Sequence, residues 1–167
     1  MNFSHAVMVM GVAGTGKSTI GALLAERLGV AYAEGDDFHP AANVAKMAAG
    51  VPLDDADRLP WLDLVGGWAR EQGTAGGVVS CSALKRAYRD RLREAAPGAA
   101  FVHLEGAREL IEERMRERKG HFMPVALLDS QFAALEGLGG DEFGVTVGVE
   151  GTPEEIVERV VGALRQL

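Results

Sequence analysis

The sequence predicts an α/β fold, and three observations carry that prediction. Short apolar runs alternate with stretches of helical periodicity along the whole chain. The first junction between such a run and such a stretch holds a complete glycine-rich phosphate loop, Gly11 to Ser18. At 167 residues the chain has the length of one domain, since domains usually run roughly 100 to 200 residues, so residues 1–167 are expected to share a single core.

The elements follow in order. Ala6 to Met10 reads as a strand buried on both faces, leading straight into the glycine loop. Ile20, Leu23, Leu24 and Leu28 recur at helical intervals, and Gly29 stands where a left-handed C-cap is wanted. Val30 to Ala33 is a second strand. Further on, Trp61, Leu64, Val65 and Trp68 are expected on one buried helical face, with Pro60 in the first turn of that helix. Gly76 to Cys81, Ala99 to Leu104 and Phe143 to Val149 are three more strands. The stretches Leu84 to Ala96 and Arg108 to Lys119 are highly charged helices, expected as solvated outer layers. Gly137 to Glu142 is a loop, and Thr152, Pro153 and Glu155 form a capping box that starts the last helix.

Composition narrows the function classes. With 17 Lys+Arg against 24 Asp+Glu the net charge is −7, which repels polyanions, so no nucleic-acid or anionic-membrane partner is expected. Cys81, the single cysteine, allows neither an internal disulfide nor a multi-Cys metal site and suits a reducing compartment. Met1 to His5 lacks a basic targeting region and the run to Gly14 is too short to span a membrane, so a cytoplasmic protein is expected. A homodimer is compatible with the sequence, which does not set the oligomeric state.

Gly11-Val12-Ala13-Gly14-Thr15-Gly16-Lys17-Ser18 matches GxxxxGK[ST] in full and lies between strand and helix, as its chemistry requires. Glycines let successive backbone N–H groups encircle phosphates at a helix N-terminus. Lys17 supplies charge to the β- and γ-phosphates of ATP, and the Ser18 hydroxyl is placed to ligate Mg²⁺. A guanine-reading Asn-Lys-x-Asp is absent. Asp63-Leu-Val-Gly66 and Asp141-Glu-Phe-Gly144 match DxxG only formally, and Val78-Val79 runs into Ser80-Cys81-Ser82 rather than a strand-terminal aspartate. The acid of the site must therefore come from elsewhere, and Gly35-Asp36-Asp37-Phe38-His39-Pro40, at the carboxyl end of the second strand, is the candidate.

The phosphate loop, this GDxxHP segment, Gly50 to Leu62, Ser80 to Arg86, Gly120 to Pro124 and Leu128 to Phe132 occur in one order and spacing. Together they resemble the gluconokinases among the P-loop kinases. The resemblance implies a three-layer nucleoside-kinase-like fold with a five-stranded parallel sheet, a helical substrate-binding segment at about 36–72 and a mobile lid at about 117–131. It implies ATP- and Mg²⁺-dependent phosphorylation of the 6-hydroxyl of D-gluconate, a small-molecule substrate.

Site roles follow partly from chemistry and partly from that resemblance. Asp36 accepts or orients the acceptor hydroxyl, with Asp37 as alternative. His39 contacts a substrate hydroxyl or caps and packs a helix start. Arg58, in the Asp57-Arg58 pair, lies near substrate or makes a surface salt bridge. Lys85, Arg86 and, ranked after them, Arg89 cluster at a helix start; cations there oppose the helix dipole and call for an anion, such as a substrate carboxylate or a phosphate. In the lid, Arg118 is the choice for the transition-state cation and His121 a substrate contact. Arg114 resembles the arginine that related kinases stack on adenine, with Thr152 and Pro153 on the other side of the base. For Arg114 and Arg118 the alternative is a surface pair with Glu113 or Glu117. Cys81 is read as packing. Two other readings compete: a shikimate or nucleotide kinase, which GDxxHP and Gly120-His-Phe-Met-Pro124 disfavour, and a slow ATP-hydrolysing regulatory module, which the cationic second half-site disfavours.

Overall fold

The computed structural model describes residues 5–117 and 125–167. Five strands, β1 (Ala6–Met10), β2 (Ala31–Glu34), β3 (Gly77–Ser80), β4 (Ala100–Glu105) and β5 (Gly144–Gly148), form one parallel sheet in the order β2-β3-β1-β4-β5. From central β1 the chain goes to one edge for β2 and β3, then crosses to the other side for β4 and β5. A crevice opens outside the carboxyl ends of the strands at such a reversal.

Alternation along β1 sorts the core into two layers. Val7 and Val9 join Val78, Val102 and Leu104 beneath α1 (Lys17–Leu28) and α7 (Pro153–Leu164). Ala6, Met8 and Met10 face the other way with Val79 and Phe101, beneath α3 (Asp55–Gln72) and α4 (Arg86–Ala95). A smaller cluster of Val12, Leu84, Ile111 and Leu128 joins the phosphate loop to α5 (Arg108–Glu117) and α6 (Val125–Ala134). The helix α2 (Ala41–Ala48) completes the set.

Local signals set the boundaries. Gly29, at φ 71°, ends α1 by donating to the carbonyls of Ala25 and Glu26. Thr152 and Glu155 form the anticipated capping box of α7. For α3 the expectation is corrected: the helix begins five residues before Pro60, where Asp54 and Asp57 cap each other's backbone N–H. Pro60 thus sits inside the helix. Its buried face is also shifted: Trp61, Leu62, Val65 and Ala69 are buried, while Leu64 is half exposed. Each strand agrees with its expected span to within a residue or so, but β2 extends one residue further than expected, to Glu34, and that residue matters.

The charged helix α4 is not merely a solvated layer. Arg89 is fully buried, with Nε and Nη2 at 2.8 and 3.1 Å from the Glu142 carboxylate and further donations to the carbonyls of Ala83, Leu84 and Gly137. Burial alone would raise the Glu142 carboxyl, but hydrogen bonds from Arg89, the Gly139 N–H and Arg93 outweigh it and hold the group down at about 2. Among the described residues no helix is long and apolar enough to cross a membrane.

Candidate active site

The phosphate loop leaves β1 and turns into α1 through Gly16, at φ 88°, which aims the first N–H groups of α1 into the crevice. Gly14, at φ 83°, is another position that a side chain would spoil, since a Cβ there would lie 2.8 Å from Met115 and 2.9 Å from Ile111. The loop lines a cleft of about 540 Å³ together with Glu34, Asp36, Ser80, Cys81, Ser82, Arg114, Gln131, Gly151, Pro153 and Ile156. Lys17 lies along the loop with Nζ donating to the Val12 carbonyl at 3.1 Å.

Glu34 is the strand-terminal acid that the sequence reading sought elsewhere. Its carboxylate accepts from the Ser18 hydroxyl at 2.5 Å, from Tyr32 at 2.9 Å and from Ser80 at 2.9 Å. The signal was present, because Ala31-Tyr-Ala-Glu34 is a strand ending in an acid; closing that strand at Ala33 hid it. Asp36 follows in a 3-10 turn (Gly35–Phe38), with an exposed carboxylate on the cleft wall. Asp37 is also exposed but is not among the residues lining the cleft.

Arg114 and Pro153 line the same cleft, and Arg114 Nη2 donates to the Gly151 carbonyl at 3.4 Å. Thr152 does not line it; its hydroxyl is used on the Glu155 N–H. Gln131 was not singled out in the sequence, yet its Oε1 accepts the Ala13 N–H of the loop at 2.7 Å.

The remaining candidates lie beyond this cleft. His39 stacks on Trp61 with ring centroids 4.4 Å apart and is hydrogen-bonded to Asn43, and burial lowers its pKa against the pull of Asp36. Packing, the second of its two readings, is what the geometry displays. Arg58 and Lys85 approach the Tyr88 ring at 5.7 and 5.5 Å. Arg58 donates to the Tyr88 hydroxyl, which donates to Asp55 at 2.5 Å, and Lys85 reaches Asp55 at 3.4 Å. Arg58 thus makes no ion pair among the described residues.

Arg86 and Arg89 require correction, because the anion wanted at the start of α4 is supplied from within. Arg86 forks onto Asp141 at 3.0 and 2.8 Å and also holds Asp90, while Glu136 accepts the Arg86 backbone N–H. Arg89 is enclosed with Glu142 and has no surface to offer a substrate. Burial pushes the Cys81 thiol up to about 12, which suits packing and not nucleophilic attack. Arg118, His121 and residues 118–124 of the expected lid lie outside the described residues.

No protein-family model matches the chain. A curated gluconokinase of Gluconobacter oxydans is 48% identical over 157 residues, covering 93% of this chain and 88% of that protein. The crystal structure of a gluconokinase from Sinorhizobium meliloti superposes with a TM-score of 0.91 at 46% identity, over 99% of this chain and 94% of the other. Shikimate kinase from Aquifex aeolicus, at 15% identity and a TM-score of 0.65 over 96% of each chain, shares the fold alone. Identity of this extent, over nearly the full length of both chains, places the protein in the gluconokinase family.

Proposed function

We propose that the protein transfers the γ-phosphoryl group of ATP to the 6-hydroxyl of D-gluconate, giving 6-phospho-D-gluconate and ADP. The observation that supports this most directly is the cleft itself, in which the phosphate loop with Lys17 and Ser18 faces Asp36 across the carboxyl ends of the strands. Phosphoryl transfer asks for little covalent help from a protein: an oriented hydroxyl, neutralised phosphates and excluded water.

In this reading the loop N–H groups and Lys17 hold the β- and γ-phosphates, while Arg114 and Pro153 flank the base. Asp36 orients the acceptor hydroxyl and takes its proton as the new O–P bond forms and the bond from the γ-phosphorus to the β–γ bridging oxygen breaks. Ser18, Glu34 and Asp36 present hard oxygen donors to the same cleft, a set that fits Mg²⁺. Ser18 would ligate the ion and Glu34 would orient Ser18; when bound, the ion neutralises phosphate charge. Lys85 and Arg58, gathered on Tyr88, are the cations best placed to meet the carboxylate at the other end of gluconate. His39 supports that side by packing. The substrate-binding segment is 36–72, and the lid at 117–131 brings Arg118 and His121 over the site, with Arg118 on the transition-state charge. The whole forms one domain and works in the cytoplasm.

The test is a coupled assay of ADP release over a panel of sugar acids and their neutral analogues. Gluconate should exceed glucitol by about 10- to 100-fold in kcat/KM, the worth of one charge-assisted contact. Equal turnover of glucitol, or faster turnover of shikimate, would reject gluconate as the substrate.

A further inference from the structure

We infer that Gln131 contacts the transferred phosphoryl group through its side-chain amide, an inference that rests on the reaction proposed above. The hydrogen bond from the Ala13 N–H to Gln131 Oε1, at 2.7 Å, joins the third residue of the phosphate loop to a residue 118 positions away. A backbone N–H can be accepted only by the amide oxygen, so this bond settles which way the amide is turned. Oε1 is on the loop, and the two N–H donors of Nε2 are on the other branch. Gln131 lines the cleft with Gly14 to Ser18, Asp36 and Arg114. Among the described residues nothing accepts a hydrogen bond from Nε2.

The side chain is held in place by its helix. One turn earlier on α6, Leu128 is buried against Val12, Leu84 and Ile111. Asp129 pairs with Arg108 of α5, and the Glu136 N–H just beyond α6 donates to the Leu84 carbonyl at 2.8 Å. Gln131 therefore stands on a helix packed beside the loop that holds the donor phosphates, with its side chain on the cleft. A neutral donor there can bond an equatorial phosphoryl oxygen as charge builds on it, and it adds no charge of its own.

Merely stapling α6 to the loop is the competing role, and one substitution separates the two. A carboxylate accepts the Ala13 N–H at least as well as an amide does, so Gln131→Glu preserves a staple. It removes the donors and sets a negative charge against the phosphoryl group. We would compare Gln131→Glu and Gln131→Ala with the wild type by steady-state kinetics with gluconate. Calorimetry would add the affinities for MgADP and for the Mg²⁺ complex of β,γ-imido-ATP. Gln131→Ala should lower kcat about 10- to 100-fold and Gln131→Glu by more, with MgADP affinity held within about 2-fold and that for the imido analogue weakened about 10-fold in Gln131→Glu. Wild-type kcat in Gln131→Glu, or equal loss of affinity for both nucleotides, would overturn the inference. Should the wild type itself fail to phosphorylate gluconate, the substrate reading falls, and the nucleotide comparison still decides the role of Gln131.

Discussion

The Ser18 hydroxyl donates to the Glu34 carboxylate at 2.5 Å, and this contact joins the end of the phosphate loop to the end of β2. Tyr32 and Ser80 donate to the same carboxylate, so Glu34 is oriented from three directions before it orients anything else. Replacing Glu34 with Gln keeps the shape but removes the charge that aligns Ser18. The Mg²⁺ concentration for half-maximal rate should rise about 10-fold or more, since outer partners of metal ligands typically carry 10- to 100-fold in affinity. A Mg²⁺ titration of initial rate would check this.

Lys17→Ala should abolish measurable transfer without unfolding the protein, because Lys17 lies along the loop surface and not in either core layer. Circular dichroism melting alongside the coupled assay separates these outcomes. Wild-type turnover would show that this loop is not the catalytic phosphate site.

Asp36→Asn acts on the acceptor and leaves the donor site intact. It should lower kcat by about 100-fold, within the range for a lost general base, with ATP affinity nearly unchanged. Parallel losses in both would point instead to a disturbed metal site.

The buried Arg89–Glu142 pair makes a prediction about stability and acid. Arg89→Met should destabilise by about 3 kcal/mol, because it removes the buried partner of Glu142 and leaves Arg93 as the nearest cation on that carboxylate. Glu142 titrates at about 2 in the fold, below its ordinary value of 4.5. A depressed carboxylate contributes stability that is fully present above its unfolded pKa and is lost as pH falls through its folded one. Urea unfolding should therefore show a loss between about pH 4.5 and 2, and Glu142→Gln should flatten that slope.

Much of this molecule was legible because its signals are local. The spacing of Ile20, Leu24 and Gly29, the Thr152 and Glu155 capping box and the phosphate loop each act within a few residues. What escaped reading depends on contacts between distant segments. Arg89 and Glu142 are 53 positions apart, so on periodicity alone Arg89 was indistinguishable from its solvated neighbours. Gln131 meets Ala13 across 118 positions. Pro60 misled for another reason: a proline favours a first turn, but the Asp54 and Asp57 box upstream had already started the helix. Glu34 was lost to a boundary set one residue short.

The position of β1 has a consequence for how this protein fails on warming. Val7 to Met10 are fully enclosed, and both neighbours of β1 are strands. Amide exchange should be slowest there, in the strand that feeds the phosphate loop. The loop's companions Glu34 and Arg114, by contrast, come from edge strand β2 and the outer helix α5, where opening costs least. Heat should therefore detach the walls of the cleft while its floor still stands, and activity should fade several degrees below the calorimetric midpoint, at temperatures where the far-ultraviolet spectrum remains native.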